Sequence, residues 1–421
     1  MTPEGRYAAV LEVLELGLNE PGKPVEQILQ GYTRSRRFIG SKDRRFIAEL
    51  LFDLMRSRAR LGWHVARVAP HLSLSARLWL FSGLILKGDL DLEELSSLCS
   101  GEGYAPALLS PSERFVLEAL EPGAGPDHDE MPTAVRTEVP EWLWSEFERS
   151  FPAETVEQEA LALLEAAPVV LRVNSLKLSR DEARALLRKE GFETEETGLS
   201  AWGLILSRRG ALNQTAAYRN GLVELQDESS QLFVAETAVE PGMTVLDLCA
   251  GAGGKTLALA AAMNNEGRLL ATDIAPARLQ KSKPRLERAE ASIAKTGNFP
   301  AIVSGPEFRG AFDRVVVDAP CSGTGTWRRQ PDSRWRLTAG ALAEYRSAQS
   351  GCLDQAADLV KPGGWLCYAT CSVLKAENED QVAAFLARRP DFAPAREPFL
   401  KLSPARQGTD GFFGAMLVRK D

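Results

Sequence analysis

Val245-Leu246-Asp247-Leu248-Cys249-Ala250-Gly251-Ala252-Gly253-Gly254-Lys255-Thr256 decides how the second half of this 421-residue chain folds. An apolar strand runs straight into a glycine-rich turn. From about residue 226 onward, strands and helices alternate in the rhythm of a doubly wound α/β domain. In open parallel sheets the loops after the strands gather on the carboxyl-terminal rim, where ligands bind. Two more apolar runs reach that rim. Residues 314–317 lead into Asp318-Ala319-Pro320-Cys321-Ser322-Gly323, and residues 365–368 into Ala369-Thr370-Cys371-Ser372. A glycine loop and two thiols therefore share one cleft, a combination suited to one-carbon chemistry with sulfur as nucleophile.

The glycine loop admits three readings. A P-loop needs a glycine five positions before Gly254-Lys255-Thr256, where Cys249 stands. A dinucleotide fingerprint, after Gly251 and Gly253, needs glycine where Thr256 stands. S-adenosylmethionine fits better, because an acid, Asp273, ends the next strand about 20 residues on, where ribose hydroxyls are received in this fold. The plainer alternative is that Asp273 caps the helix starting near Ala275-Pro276.

Carbon 5 of cytosine is too poor a nucleophile to take a methyl group from a sulfonium directly. A thiolate added to carbon 6 makes the ring an enamine with electron density on carbon 5; a base then removes the proton and the thiolate leaves. A free thiol, with a pKa near ~8.5, is mostly protonated at neutral pH, so such a site must lower it. Lys255 and nearby helix amino termini are the candidate sources of that field. Cys99, Cys249, Cys352 and Cys367 read as packing residues, since unpaired cysteine is among the most buried residue types. Cys367 and Cys371 lack the further cysteines or histidines of a zinc set. The three histidines, His64, His71 and His128, lie outside the α/β domain, which argues against a Ser-His-Asp triad there.

Composition is that of a globular protein, 44% hydrophobic and 25% charged, and no apolar run approaches the ~20 residues of a membrane span. The start lacks a signal-peptide pattern, and six scattered cysteines suit a reducing cytosol. The net charge of −7 hides two basic islands. Arg34, Arg36, Arg37, Lys42, Arg44 and Arg45 form one, continued by Arg56, Arg58 and Arg60. Trp327-Arg328-Arg329 through Arg334-Trp335-Arg336 forms the other. Cations contact phosphates, and indoles or guanidinium planes stack on unpaired bases; a solvated helix face is the alternative for the first island.

Three segments are expected. Residues 1–130 read as all-helical, with Ser41-Lys42-Asp43 capping a helix whose apolar face is Phe46, Ile47, Leu50, Leu51 and Leu54. Further amphipathic stretches cover 76–86 and 111–120, and Glu121-Pro122-Gly123-Ala124-Gly125-Pro126 reads as a linker. A small α+β segment at 135–225 has a strand at 169–174, a helix at 179–191 and strands near 204–206 and 221–225. Residues 226–421 form the α/β domain.

The stretches at 171–177, 226–231, 249–256, 318–323, 328–335 and 370–372, with Asp410-Gly411-Phe412-Phe413, together resemble the Sun-type RNA cytosine-5 methyltransferases, in particular the bacterial small-subunit rRNA enzymes of RsmB type. The resemblance covers roughly residues 168–421, and the helical segment resembles the NusB-like RNA-binding domain of that group in position and basic helices. It implies a Rossmann-like methyltransferase domain preceded by a small α+β domain and the helical one. It also implies Cys371 as nucleophile, Cys321 as the thiol that assists product release, Asp318 against cofactor or target base, and Lys255 toward the target nucleotide. S-adenosylmethionine would be held by Cys249, Ala250, Gly251, Ala252, Gly253, Gly254, Lys255, Asp273 and Asp318. The expected partner is RNA, rRNA first, with tRNA or a vestigial ribosome-assembly role as alternatives; no metal, no membrane, and a cytoplasmic monomer complete the expectation. One departure stands out: where the family places an acid after strand three, this chain has Ser304 or Gly305 in the stretch 301–307, with Glu307 as a substitute.

Overall fold

Helical spacing of apolar residues builds the first unit of the computed structural model, which describes residues 1–421. Its helices are α1 (Pro3–Asn19), α2 (Val25–Ser35), α3 (Ser41–Met55), α4 (Arg58–Val68), α5 (Ala76–Lys87), α6 (Leu92–Leu98) and α7 (Pro111–Glu118), followed by shorter ones. Ile47, Leu51 and Leu54 of α3 pack with Val10 and Leu14 of α1 and with Leu80, Phe81 and Leu84 of α5, while Phe46 and Leu50 flank this core. Ser75 caps α5, and Ser110 with Glu113 forms a capping box on α7. The cap expected at Ser41-Lys42-Asp43 is absent: Gly40 is the N-cap of α3. Asp43 instead takes two cations, the Met1 amine at 3.2 Å and Arg6 at 2.7 Å.

The breaker cluster at 121–126 folds back rather than separating domains. Gly123 and Gly125 donate N–H bonds to the terminal carbonyls of α5, Ile85 at 3.0 Å and Leu86 at 2.7 Å. This unit holds Met1–Glu148, Pro152–Leu164 and, from far down the chain, Arg329–Thr338. The late segment is anchored inside it: Asp332 accepts the Val25 N–H at 3.0 Å, and the Trp335 indole donates to the Met55 carbonyl at 3.4 Å.

The second unit holds Arg149–Phe151, Glu165–Arg328 and Ala339–Asp421. Its smaller sheet is antiparallel, in the order β2-β3-β1-β4, from β1 (Val169–Val173), β2 (Thr194–Glu196), β3 (Gly203–Leu206) and β4 (Val223–Leu225). The helix Arg180–Lys189, opened by a Ser179–Glu182 capping box, packs Ala183 and Leu187 with Leu171, Val173 and Leu204.

The larger sheet comprises β5 (Thr244–Asp247), β6 (Arg268–Ala271), β7 (Ala294–Thr296), β8 (Phe312–Asp318), β9 (Val360–Thr370), β10 (Phe392–Pro394), β11 (Leu400–Leu402) and β12 (Phe412–Arg419). The order is β10-β12-β9-β8-β5-β6-β7, with β11 paired to β12. Strands β5 to β9 are parallel, and β12 is antiparallel to its neighbours. The order reverses between β5 and β8, the switch point at which open α/β sheets bind ligands. The third strand of this sheet, β7, ends at Thr296, earlier than the sequence suggested. Residues 299–304 form a helix whose side-chain cap is Asn298 and whose first turn holds Pro300, so Ser304 and Gly305 do not follow that strand. Exposed Glu307 does not line the cavity described below. No helix is long and apolar enough to cross a membrane.

Candidate active site at the sheet switch point

The carboxyl ends of β5 and β8 open into a cavity of about 890 Å³ within the second unit. Cys249, Ala250, Gly251, Ala252, Gly254 and Lys255 line it from the loop after β5. Gly253 turns the chain beneath them at φ +82°, where a Cβ would also meet the Ser282 side chain at 2.8 Å. Gly251 stands at φ +54°. Glycine is the residue these left-handed positions favour.

Four acids line this cavity, Asp227, Asp247, Asp273 and Asp318, and the last three stand at or just past strand ends. Asp247, at the end of β5, is fully buried and accepts a 2.6 Å bond from the Thr256 hydroxyl. Its other oxygen has no hydrogen-bond partner in the protein. Burial pushes its carboxyl up to about 7 despite the Thr256 bond. An orphaned carboxylate oxygen in a ligand cavity calls for a cationic group, such as an α-ammonium. Asp273, at the end of β6, lines the cavity and at the same time holds backbone: it accepts from Gly251 N–H at 2.9 Å and Ala275 N–H at 2.8 Å. The ligand-facing and capping alternatives are therefore combined in one carboxylate. Asp318 closes the far side and pairs with Lys255 at 2.7 Å. Burial works against the Lys255 charge, but the Asp318 carboxylate leaves its pKa raised.

The two loop thiols converge, with Cys321 Sγ and Cys371 Sγ 3.4 Å apart on the cavity wall. The hydrogen bond with Cys371 and burial push the Cys321 thiol well above its ordinary value. Cys321, expected as the thiol that assists release, therefore stays protonated at neutral pH. A buried carboxylate that sequence reasoning missed ties the two loops together. Glu377 accepts from Ser322 N–H at 2.8 Å, the Ser322 hydroxyl at 2.5 Å, the Ser372 hydroxyl at 2.5 Å and the Gln349 amide at 3.0 Å. Those serines directly follow the two cysteines, so one side chain sets both loops.

The remaining cysteines divide. Cys99 and Cys367 are buried, and burial drives Cys367 up to about 12. Cys249, expected along the cofactor by the resemblance though also read as a packing residue, lines the cavity together with Cys352, read only as packing; their mutual hydrogen bond and burial raise the Cys249 thiol well above its ordinary value. No cluster of three or more His, Cys, Asp or Glu side chains capable of holding a metal ion forms in the structure.

The second basic island is largely internal, contrary to expectation. Trp327, Arg328 and Arg334 are buried. Arg328 donates to the Gly408 and Thr409 carbonyls at 3.0 and 3.1 Å, bracing the loop before β12. In the first unit Arg334 donates to the Glu138 and Leu163 carbonyls, and burial lowers its pKa to about 10. Both arginines stabilise chain crossings and present no cation to a polyanion. In the first island Arg34, Arg37, Lys42, Arg44 and Arg45 are exposed.

Comparison with known proteins shows the family. Residues 236–418 match the family model described as 16S rRNA methyltransferase RsmB/F, and residues 139–213 match the ferredoxin-like domain of RsmF/B-like methyltransferases. The chain is 30% identical over 419 residues to ribosomal RNA small subunit methyltransferase B of Erwinia tasmaniensis, covering 95% of this chain and 96% of that protein. It is 32% identical over 326 residues to the probable enzyme of that name in Bacillus subtilis, covering 72% and 73%. The crystal structure of PH0851 superposes with a TM-score of 0.79 at 25% identity, covering 100% of this chain and 99% of that one. A methyltransferase homologue from Pyrococcus horikoshii superposes at 0.58 with 26% identity, covering 69% and 98%. The chain belongs to the RsmB/F family of S-adenosylmethionine-dependent 16S rRNA methyltransferases.

Proposed function

We propose that this protein methylates carbon 5 of a cytosine in small-subunit ribosomal RNA through a transient bond between Cys371 and carbon 6. The observation that carries the proposal is the 3.4 Å approach of Cys321 and Cys371 on the wall of the cavity formed by the glycine loop, Asp273 and the Lys255–Asp318 pair. S-adenosylmethionine would supply an electrophilic methyl group, and residues 249–255 would hold it, with Asp273 receiving its ribose and Asp247 its ammonium.

The chain's own groups divide the remaining work. Cys371, the nucleophile that the family resemblance implies, attacks carbon 6 as the thiolate. Asp318, oriented by Lys255, meets the ring-nitrogen edge of the base. Water takes the carbon 5 proton, the carbon 6–sulfur bond breaks and its electron pair stays on Cys371. The Cys321 S–H can then donate a hydrogen bond to the departing thiolate, which is the release role assigned to it. Glu377 keeps both thiols in register through Ser322 and Ser372.

Bisulfite sequencing of rRNA and tRNA from cells lacking the protein tests the substrate. Loss of protection at a small-subunit rRNA cytosine is expected. Loss confined to tRNA would move the substrate there, and unchanged protection in both would leave a ribosome-assembly role without methylation.

A further inference from the structure

The two arginine-rich islands of the sequence meet inside the first unit, and one guanidinium there makes no ion pair and shares the field of Glu138, which Arg60 already engages. Arg58, the first residue of α4, approaches the indoles of both Trp79 and Trp335, 5.1 and 5.5 Å from their ring centres. The neighbouring cations are engaged: Arg60 pairs with Glu138 and Asp127, and Arg56 with Asp53. Glu138 is further occupied by the N–H groups of Ala59 and Arg60 at 2.8 and 3.0 Å. Arg58 has no ion pair or hydrogen bond within the protein. Indole faces attract the charge of a guanidinium but do not satisfy its N–H donors.

A cavity of about 110 Å³ adjoins this residue, also lined by Lys23, Arg336 and Asp332. Asp332 is already taken, accepting from Val25 N–H at 3.0 Å and Arg336 Nε at 2.9 Å. Lys23 pairs with Glu20 at 3.0 Å and Arg336 with Asp332, so Arg58 is the cation of this cavity whose guanidinium makes no ion pair, and it makes a site for an anion. Arg58 is held against two rings, so its planar fork is pre-organised for a tetrahedral oxyanion. We propose that this cavity binds a backbone phosphate of the RNA substrate, with Arg58 as its principal donor. The inference rests on the reading of the chain as an RNA methyltransferase and adds a phosphate subsite in the helical unit, which holds none of the residues of the chemistry.

The test is the salt dependence of binding to a small-subunit rRNA transcript, using the full chain and its Arg58→Gln, Arg58→Lys and Lys23→Gln variants, with methyl transfer and thermal unfolding measured alongside. Arg58→Gln should bind several-fold more weakly at 50 mM salt and lose roughly 0.7–0.9 from the slope of log K against log salt, the value of one phosphate. Arg58→Lys should keep the wild-type slope, because the charge remains while the stacked fork is lost. A slope unchanged in Arg58→Gln, with only a lower Tm, would make Arg58 a packing spacer and overturn the proposal. If Arg58→Gln does not fold, Lys23→Gln on the rim must show the slope loss, and an unchanged slope there overturns it equally. Inorganic phosphate that raises the Tm of wild type but not of Arg58→Gln, with equal RNA slopes, would assign the cavity to free phosphate and against RNA. Methyl transfer with an unchanged slope sinks this inference alone, whereas no transfer to any RNA sinks the functional reading instead.

Discussion

The two units use charge in opposite ways. In the second, ionisable groups are buried and interlocked: Lys255 with Asp318, Asp247 with Thr256, and Glu377 with the serines beside both cysteines. In the first, part of the charge is internal, as in Arg60–Glu138, and part stands on the surface with Arg34, Arg37 and Arg45. Interlocked groups act as a unit, so removing one has a large and specific effect. Exposed cations act by summation, and each removal has a small and general one.

The strongest expected break is Cys371→Ala. The attacking thiol would be gone, so methyl transfer should fall by about 10³-fold or more, as for loss of a nucleophile acting within a unit. Calorimetry should still find cofactor bound at wild-type affinity. Substantial turnover in this variant would rule out the covalent step through Cys371.

Asp273→Ala should weaken cofactor binding by roughly tenfold or more, since charged hydrogen bonds contribute about 1.5–3 kcal/mol each. Because Asp273 also holds the Gly251 and Ala275 amides, a fall in Tm should accompany the loss. Lower Tm with unchanged affinity would reduce it to a backbone clamp.

Asp247 gives a pH-dependent version of the same contrast. Its folded pKa is raised to about 7, so below that pH the carboxyl is neutral and pairs poorly with an ammonium. Cofactor affinity should therefore strengthen several-fold from pH 6 to pH 7.5, and Asp247→Asn should flatten the profile. Without ligand the sign reverses for stability: the raised pKa favours the folded, protonated form, so this contribution is lost as pH climbs from about 4 through 7. An identical pH profile in wild type and Asp247→Asn would place the ammonium elsewhere.

At the weak end, neutralising Arg34, Arg37 and Arg45 together should reduce RNA affinity several-fold and flatten its salt dependence by about 0.7–0.9 for each phosphate no longer neutralised. Cofactor binding should not change. Wild-type affinity and slope would make these arginines a solvated helix face. Arg36 and Arg44 are less suited to this test, because Arg36 pairs with Glu12 and Arg44 donates to the Ile39 carbonyl.

The catalytic rim was legible because its residues sit directly after apolar strands, where local pattern and loop position coincide. Asp273, Asp318, Cys321 and Cys371 all lie at such ends, and the structure gathers them around one cavity. What failed depended on distant partners. Arg328 and Arg334 look solvent-seeking in sequence, yet carbonyls far along the chain receive their donors. Glu377 reads as one more acid before a helix until Ser322 and Ser372 are seen to meet on it. β7 was misplaced because it has only the short stretch Ala294–Thr296 and carries Lys295, whereas the more apolar 301–303 is drawn into a helix by the Asn298 cap.

Under the proposed function, two thiols 3.4 Å apart have different tasks, Cys371 bonding to the RNA and Cys321 releasing it. Denaturing electrophoresis of Cys321→Ala after incubation with rRNA and S-adenosylmethionine separates those tasks in one experiment. A protein–RNA adduct should persist in this variant and be absent from both Cys371→Ala and the double variant. An adduct in Cys371→Ala and none in Cys321→Ala would exchange the roles of the two cysteines and refute the assignment.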